Sequence, residues 1–197
     1  MTRRLLQLYA GLILYGASLA LQIRAALGLD PWDVFHQGLS EKTGLSFGTI
    51  VIIVGALVLL AWIPLRQMPG IGTVSNVIVI GLAVDATLAI LPEAHGLGLQ
   101  LTLLLSGVFL NGVASAAYIG AGLGPGPRDG LMTGLVRITG HKVAVVRTSI
   151  EVSVLAIGFV LGGTVGLGTV LYALSIGPLL QWMLPAFTIP QPEPVPA

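Results

Sequence analysis

The sequence predicts an all-α polytopic membrane protein, with six transmembrane helices arranged as two inverted three-helix repeats. Composition, six long apolar stretches and an internal repeat lead to this prediction. Of the 197 residues, 55% are hydrophobic and only 9% are charged, whereas a soluble domain carries roughly 25% charged residues. Mean hydropathy is +0.96. So few charges cannot cover a water-facing surface, which excludes a soluble enzyme and a disordered chain.

The apolar stretches predict where the chain crosses the bilayer, because a spanning helix needs about 20 mostly apolar residues. The first repeat (residues 1–92) and the second (93–187) carry spans at about 5–27, 46–65, 71–91, 99–121, 143–162 and 168–187. Two further helices, near 31–41 and 127–138, are only about 17 Å long. That is too short for a hydrocarbon core of about 30 Å. Alternate prolines from Pro190 onward predict a disordered tail over 188–197.

The positive charges predict the orientation. With six spans and a cytoplasmic N-terminus, the outer side carries two positive residues, Arg24 and Lys42. The cytoplasmic side then carries the other seven, which are Arg3, Arg4, Arg66, Arg128, Arg137, Lys142 and Arg147. Seven against two follows the positive-inside rule and places both termini in the cytoplasm. If both short helices crossed the membrane, the ratio would fall to six against three.

The chain repeats itself at an offset of 96 residues. The segment LGLDPWD at 27–33 returns as LGPGPRD at 123–129, and GIGTV at 70–74 returns as GLGTV at 166–170. Duplication explains glycines, prolines and aspartates that align in one frame. Because each half has three spans, an odd number, the second half enters the membrane from the opposite side. Many secondary transporters have this plan, with the substrate site between the repeats.

Each short helix begins with a related motif. The first helix starts at Pro31, Trp32 and Asp33 with Asp30 as the predicted N-cap, and the second starts at Pro127, Arg128 and Asp129. The two aspartates could serve only to satisfy free N–H groups and the helix dipole. Alternatively, the helices dip into the bilayer as re-entrant elements beside a cavity. A third interpretation lays them flat on the interface, with the tryptophan as an anchor.

Ionisable groups inside the spans are candidate pathway residues. Arg147 and Glu151 lie one turn apart in the fifth span, where the first repeat has Val51 and Gly55. They could neutralise each other as a structural pair. They could instead form a site, with the glutamate accepting a proton or cation and the arginine holding an anionic group.

Asp85 in the third span aligns with Gln181 in the sixth, and these two complete the predicted substrate or proton pathway. No nucleophile–base pair, metal-ligand set or cofactor motif occurs, so no enzyme activity, metal or cofactor is expected. A net charge of +1 offers no basic face for nucleic acid.

These motifs resemble the YczE/YyaS group of bacterial integral membrane proteins, which is grouped loosely with YitT-type proteins. The most specific pieces are Gly126-Pro127-Arg128-Asp129 and the pairs Val146-Arg147 and Ile150-Glu151. The resemblance covers about residues 5–185 and implies a bacterial cytoplasmic-membrane protein, without implying a reaction. The group's recurrent positions correspond to Pro31, Trp32, Asp33, Arg128, Asp129, Arg147 and Glu151.

We therefore expect a transporter of an unknown small molecule, with its site between the two repeats. A channel-like pore with two half-helices, or a non-transporting membrane subunit or regulator, are the alternatives. The expected partners are the lipid bilayer and the small molecule, and the sequence is compatible with a homo-oligomer.

Overall fold

The computed structural model describes residues 1–190, which form eight α-helices and no strand. The predicted tail lies outside the described residues from 191 onward. The helices are α1 (Thr2–Ala25), α2 (Pro31–Thr43), α3 (Phe47–Trp62), α4 (Ile71–Ile90), α5 (Leu97–Gly120), α6 (Pro127–Thr139), α7 (Val143–Val160) and α8 (Leu167–Phe187). Every predicted span and both short helices are therefore present as helices.

The number of membrane spans is five or six. Five helices have both the length and the apolar composition to cross a bilayer: α1, α4, α5, α7 and α8. Helix α3 has 16 residues and is only about 24 Å long. It ends at Trp62 rather than near 65 because Pro64 cannot continue the helix. Helix α3 becomes a sixth span if it is counted with α2, from which the chain bends by 115°.

The short helices begin and end as their sequences predict. At the start of α2, the Asp30 side chain accepts hydrogen bonds from the backbone N–H groups of Trp32 (2.9 Å) and Asp33 (3.1 Å). Helix α6 begins after Gly126 without a side-chain cap. Both helices end at a left-handed glycine, Gly44 with φ 71° and Gly140 with φ 70°.

The helices recur at the offset of the sequence repeat. Helices α2, α3 and α4 begin at residues 31, 47 and 71, and α6, α7 and α8 begin 96 residues later at 127, 143 and 167. The equivalent helices α1 and α5 pack against each other along most of their length. They are antiparallel, because Arg4 near the start of α1 contacts the Ala121 carbonyl after α5 (3.0 Å), while Ser18 of α1 bonds Asn111 of α5 (3.0 Å).

Two equivalent hydrogen bonds tie each repeat to the other. The Gly72 N–H donates to the Leu123 carbonyl (2.8 Å), and the Gly168 N–H donates to the Leu27 carbonyl (2.7 Å). Each bond joins the start of α4 or α8 to the loop before the other repeat's short helix. These loops are thereby held against the bundle, so the N-termini of α2 and α6 have fixed positions.

The outer surface of the bundle is apolar. Large exposed side chains occur on every long helix, among them Leu57, Leu82, Leu105, Phe159 and Leu174. The buried side chains that pack between the helices come mainly from α1, α3, α4 and α5. A surface of this kind is suited to lipid, and the chain is a multi-pass membrane protein.

Candidate functional site: a central cavity between the repeats

A cavity of about 210 Å³ lies at the centre of the bundle, and residues from all eight helices line it. Both short helices present their N-terminal ends to this cavity, through Pro31 and Trp32 on one side and Pro127, Arg128 and Asp129 on the other. Five of the six predicted motif residues therefore line one space. The sixth, Asp33, is buried directly behind it and contacts Arg128.

A charged cluster joins the two short helices inside the cavity. The Arg128 guanidinium lies 3.7 Å from Asp30 Oδ1 and 3.4 Å from Asp33 Oδ1. It also lies over the Trp32 ring, with its Cζ atom 5.0 Å from the ring centroid. Both carboxylates are almost completely buried, whereas the arginine side chain is 31% exposed. The guanidinium therefore makes a cation–π contact with the tryptophan and ion pairs with two carboxylates.

The two carboxylates of this cluster have different partners. Asp33 also bonds the Nδ1 atom of His36, which is buried beside it at 3.0 Å. Asp30 uses Oδ1 for the helix cap and for Arg128, but its Oδ2 atom is buried without a hydrogen-bond partner. An unpaired buried carboxylate oxygen is unusual, because burial without a partner costs free energy.

Arg147 and Glu151 line the same cavity from α7. Their ion pair is short, with Arg147 Nε 2.9 Å from Glu151 Oε1. The pair is not buried in the bundle, since the side chains are 60% and 38% exposed. The predicted i,i+4 pair therefore forms, and it lies at the accessible side of the cavity rather than in the buried cluster.

Aromatic side chains form much of the remaining wall. Tyr15 and Tyr118 meet edge to face with ring centroids 6.0 Å apart, and both line the cavity together with Tyr172. The Tyr172 hydroxyl donates to Asn111 Oδ1 (2.9 Å). Asn111 in turn donates to Ser18, so this buried amide links α1, α5 and α8 as interhelical hydrogen bonds do in membranes.

Asp85 and Gln181 lie elsewhere. Among the described residues that line the cavity, neither is included. The Asp85 carboxylate instead closes the contact between α3 and α4, accepting hydrogen bonds from Ser46 Oγ (2.6 Å) and from the Gly48 N–H (2.7 Å). The equivalent Gln181 is exposed on α8. A pathway role for these two residues stays a prediction, and the structure gives Asp85 a structural contact.

The interfaces that contain these two residues differ between the repeats. Helices α3 and α4 pack closely, and a Cβ atom on Gly48 would collide with the Gly81 carbonyl. Over the described residues, the equivalent helices α7 and α8 barely touch, and nothing lies within 4 Å of a Cβ built on Gly177. Helices α3 and α4 are thus closely packed, whereas α7 and α8 are not packed against each other.

Sequence reasoning missed several cavity residues. It treated Asp30 only as a helix cap, and it assigned no role to His36 or to the three tyrosines. The histidine three residues after Asp33 was a local signal, because i,i+3 residues share a helix face. The tyrosines gave no such signal, since they come from three separate helices. Within residues 1–190, no group of His, Asp and Glu side chains has an arrangement that could hold a metal ion.

The comparisons with known proteins identify the family. Residues 2–185 match the family of unknown function DUF6198. The chain belongs to this family. It is also similar to two Bacillus subtilis proteins, the uncharacterised membrane protein YczE (38% identical over 90% of this chain and 83% of YczE) and the uncharacterised protein YyaS (25% identical over 89% of each chain). The resemblance to the YczE/YyaS group is confirmed.

An uncharacterised protein of Haemophilus influenzae is also similar, with 40% identity over 88% of this chain and 79% of that protein. No solved structure matches the chain. The membrane protein YczE and the apolar helices together establish an integral membrane protein of the YczE type.

Proposed function

We propose that this DUF6198 protein is a small-molecule transporter of the cytoplasmic membrane, without enzyme activity, whose two inverted repeats alternate access to the central cavity. The contrast between equivalent interfaces carries the proposal: α3 packs on α4, whereas α7 is parted from α8. In an inverted-repeat transporter the two halves adopt different conformations, and exchanging them converts one access state into the other. The antiparallel packing of the equivalent helices α1 and α5 supports the inverted relation.

The proposed orientation assigns a side to the open interface. With both termini in the cytoplasm, the start of α7 and the end of α8 lie at the cytoplasmic face. Under this proposal the state described here is inward-open, with the outer side closed by the Asp85 contact with Ser46 and Gly48. In the outward-open state, we expect α7 to close on α8 and α3 to leave α4.

Paired cysteines test this alternation, because the natural chain contains no cysteine. Ser46→Cys with Asp85→Cys should crosslink in the state described here, since the native side chains touch. The equivalent pair, Lys142→Cys with Gln181→Cys, should crosslink only in the opposite state.

A transporter requires the two crosslinks to exclude each other. In the variant that carries both pairs, prior formation of the first disulfide should suppress the second. If both disulfides form in the same molecule, or if the second pair never crosslinks in membranes, the alternating-access proposal is wrong. Coexisting crosslinks with ion conductance would favour the channel-like alternative.

A further inference from the structure

We infer that the central cavity binds a small organic cation, with a planar amidinium or guanidinium group as the best fit and Asp30 as its main carboxylate. The transport of such a cation rests on the proposed function, whereas its binding is a separate property of the site. The charge balance, a free carboxylate oxygen and the seating of Arg128 each support a cation.

The cavity, together with the Asp33 carboxylate buried behind it, carries more negative than positive side chains. Two arginines face four carboxylates: Arg128 with Asp30 and Asp33, Arg147 with Glu151, and the exposed Asp129. Within the described part of the chain, Asp129 forms no ion pair. Both arginines are already engaged by carboxylates, so an incoming anion would have to displace them. An incoming cation instead meets carboxylate oxygens that can accept its hydrogen bonds.

The Asp30 Oδ2 atom is such an acceptor. The residue is only 3% exposed, and Oδ2 has no hydrogen-bond partner although its residue lines the cavity. The other oxygen, Oδ1, is held by the cap bonds to the backbone of α2. The cap bonds position the carboxylate, and a cation that displaces the Arg128 guanidinium would give Oδ2 the charge-assisted hydrogen bond that it lacks.

Arg128 shows which shape of cation the site accepts. Its guanidinium lies over the Trp32 ring, with Cζ 5.0 Å from the centroid, and within 3.7 Å of both carboxylates. A free planar cation would meet the same ring and the same oxygens, with Tyr15 and Tyr118 completing an aromatic wall. It would compete with Arg128 for Asp30. Binding would thereby weaken the ion pair between Asp30 and Arg128. Because this pair joins α2 of one repeat to α6 of the other, ligand binding would also weaken the contact between the repeats.

Three molecules of nearly identical planar shape test the charge preference: benzamidinium, neutral benzamide and anionic benzoate. We expect isothermal titration calorimetry on the purified full chain in detergent micelles to show saturable binding of benzamidinium alone. Asp30→Asn should weaken this binding roughly tenfold or more, because an interaction with a buried carboxylate is lost. Asparagine keeps the helix cap. The matched control Glu41→Gln removes an exposed carboxylate of α2 and should leave binding unchanged.

A second variant covers the case in which Asp30→Asn does not fold. Arg128→Ala leaves a hole of guanidinium shape, and benzamidinium should raise the melting temperature of this variant while benzamide and benzoate do not. Saturable benzoate binding, equal binding of benzamide, no benzamidinium binding at millimolar concentration, or an unchanged affinity in folded Asp30→Asn would each overturn the cation site.

These outcomes are independent of the crosslinking test. Benzamidinium binding combined with coexisting crosslinks would retain the cation site and reject the transporter. Mutually exclusive crosslinks combined with benzoate binding would retain the transporter and reject the cation.

Discussion

The two arginines of the cavity should differ greatly in their contribution to stability. Arg128 faces two carboxylates that are 3% and 2% exposed, at 3.7 and 3.4 Å. At the closer distance the attraction is about 5 kcal/mol before desolvation, for an effective dielectric constant of about 20. Removing one member of a buried pair costs about 3–5 kcal/mol, because the remaining charge stays buried without a partner. Since Arg128 is 31% exposed, we expect Arg128→Met to lower the free energy of unfolding by about 3 kcal/mol.

Arg147 provides the comparison. Its pair with Glu151 is shorter, at 2.9 Å, but the two side chains are 60% and 38% exposed. An exposed i,i+4 pair contributes only about 0.3–0.5 kcal/mol, since water and salt screen the attraction. Arg147→Met should therefore lower the unfolding free energy by less than about 1 kcal/mol. From the nitrogen–oxygen distances alone, Arg147→Met would be expected to cost more stability than Arg128→Met.

The assay is reversible unfolding in mixed micelles with increasing dodecyl sulfate, followed by circular dichroism of the helices. The double variant Arg128→Met with Asp33→Asn serves as a control. Removing the stranded charge should recover part of the loss, so the two effects should not add. Equal losses for Arg128→Met and Arg147→Met, or additive losses in the double variant, would refute the burial argument.

Two further predictions use positions that are equivalent in the repeats. Gly81→Ala should lower the unfolding free energy by about 1–3 kcal/mol, because the added methyl group meets the Gly48 carbonyl and Ile52. Gly177→Ala, with no atom of another helix within 4 Å, should lower the unfolding free energy less than Gly81→Ala, because its added methyl group meets only the ring of the neighbouring Pro178; the same unfolding assay compares them, and an equal loss at both positions would contradict the difference between the interfaces. Single cysteines at the exposed Thr43 and Thr139 should react with a membrane-impermeant thiol reagent from opposite sides, in intact cells for the first and in inverted vesicles for the second. Labelling of both from one side would reject the inverted repeats.

The two arginines differ in their surroundings. Arg128 forms the ion pairs that join the two short helices, whereas Arg147 pairs with Glu151 on its own helix and is more exposed. Under the proposed function, we therefore expect Arg128 to affect the contact between the repeats and Arg147 to affect access to the cavity.

The class of the protein and its local structure follow from composition and residue order alone. Low charge and high hydropathy require a bilayer, since no folding of this chain could hide its apolar surface from water. The helix starts at Pro31 and Pro127 and the ends at Gly44 and Gly140 are local preferences of proline, aspartate and glycine. The repeat offset of 96 residues is likewise visible in the sequence, and the starts of the equivalent helices have the same offset.

Which side chains meet depends on how the distant helices pack. Asp33 and Arg128 are 95 residues apart, and the pattern that marked each as a helix-start residue gave no reason to pair them. Asp85 and Gln181 looked equivalent in sequence, yet one closes a helix interface and the other is exposed. Equivalent positions can differ in this way because a duplicated chain can place its halves in unlike conformations. Packing between distant segments, which no local preference encodes, selects which conformation each half adopts.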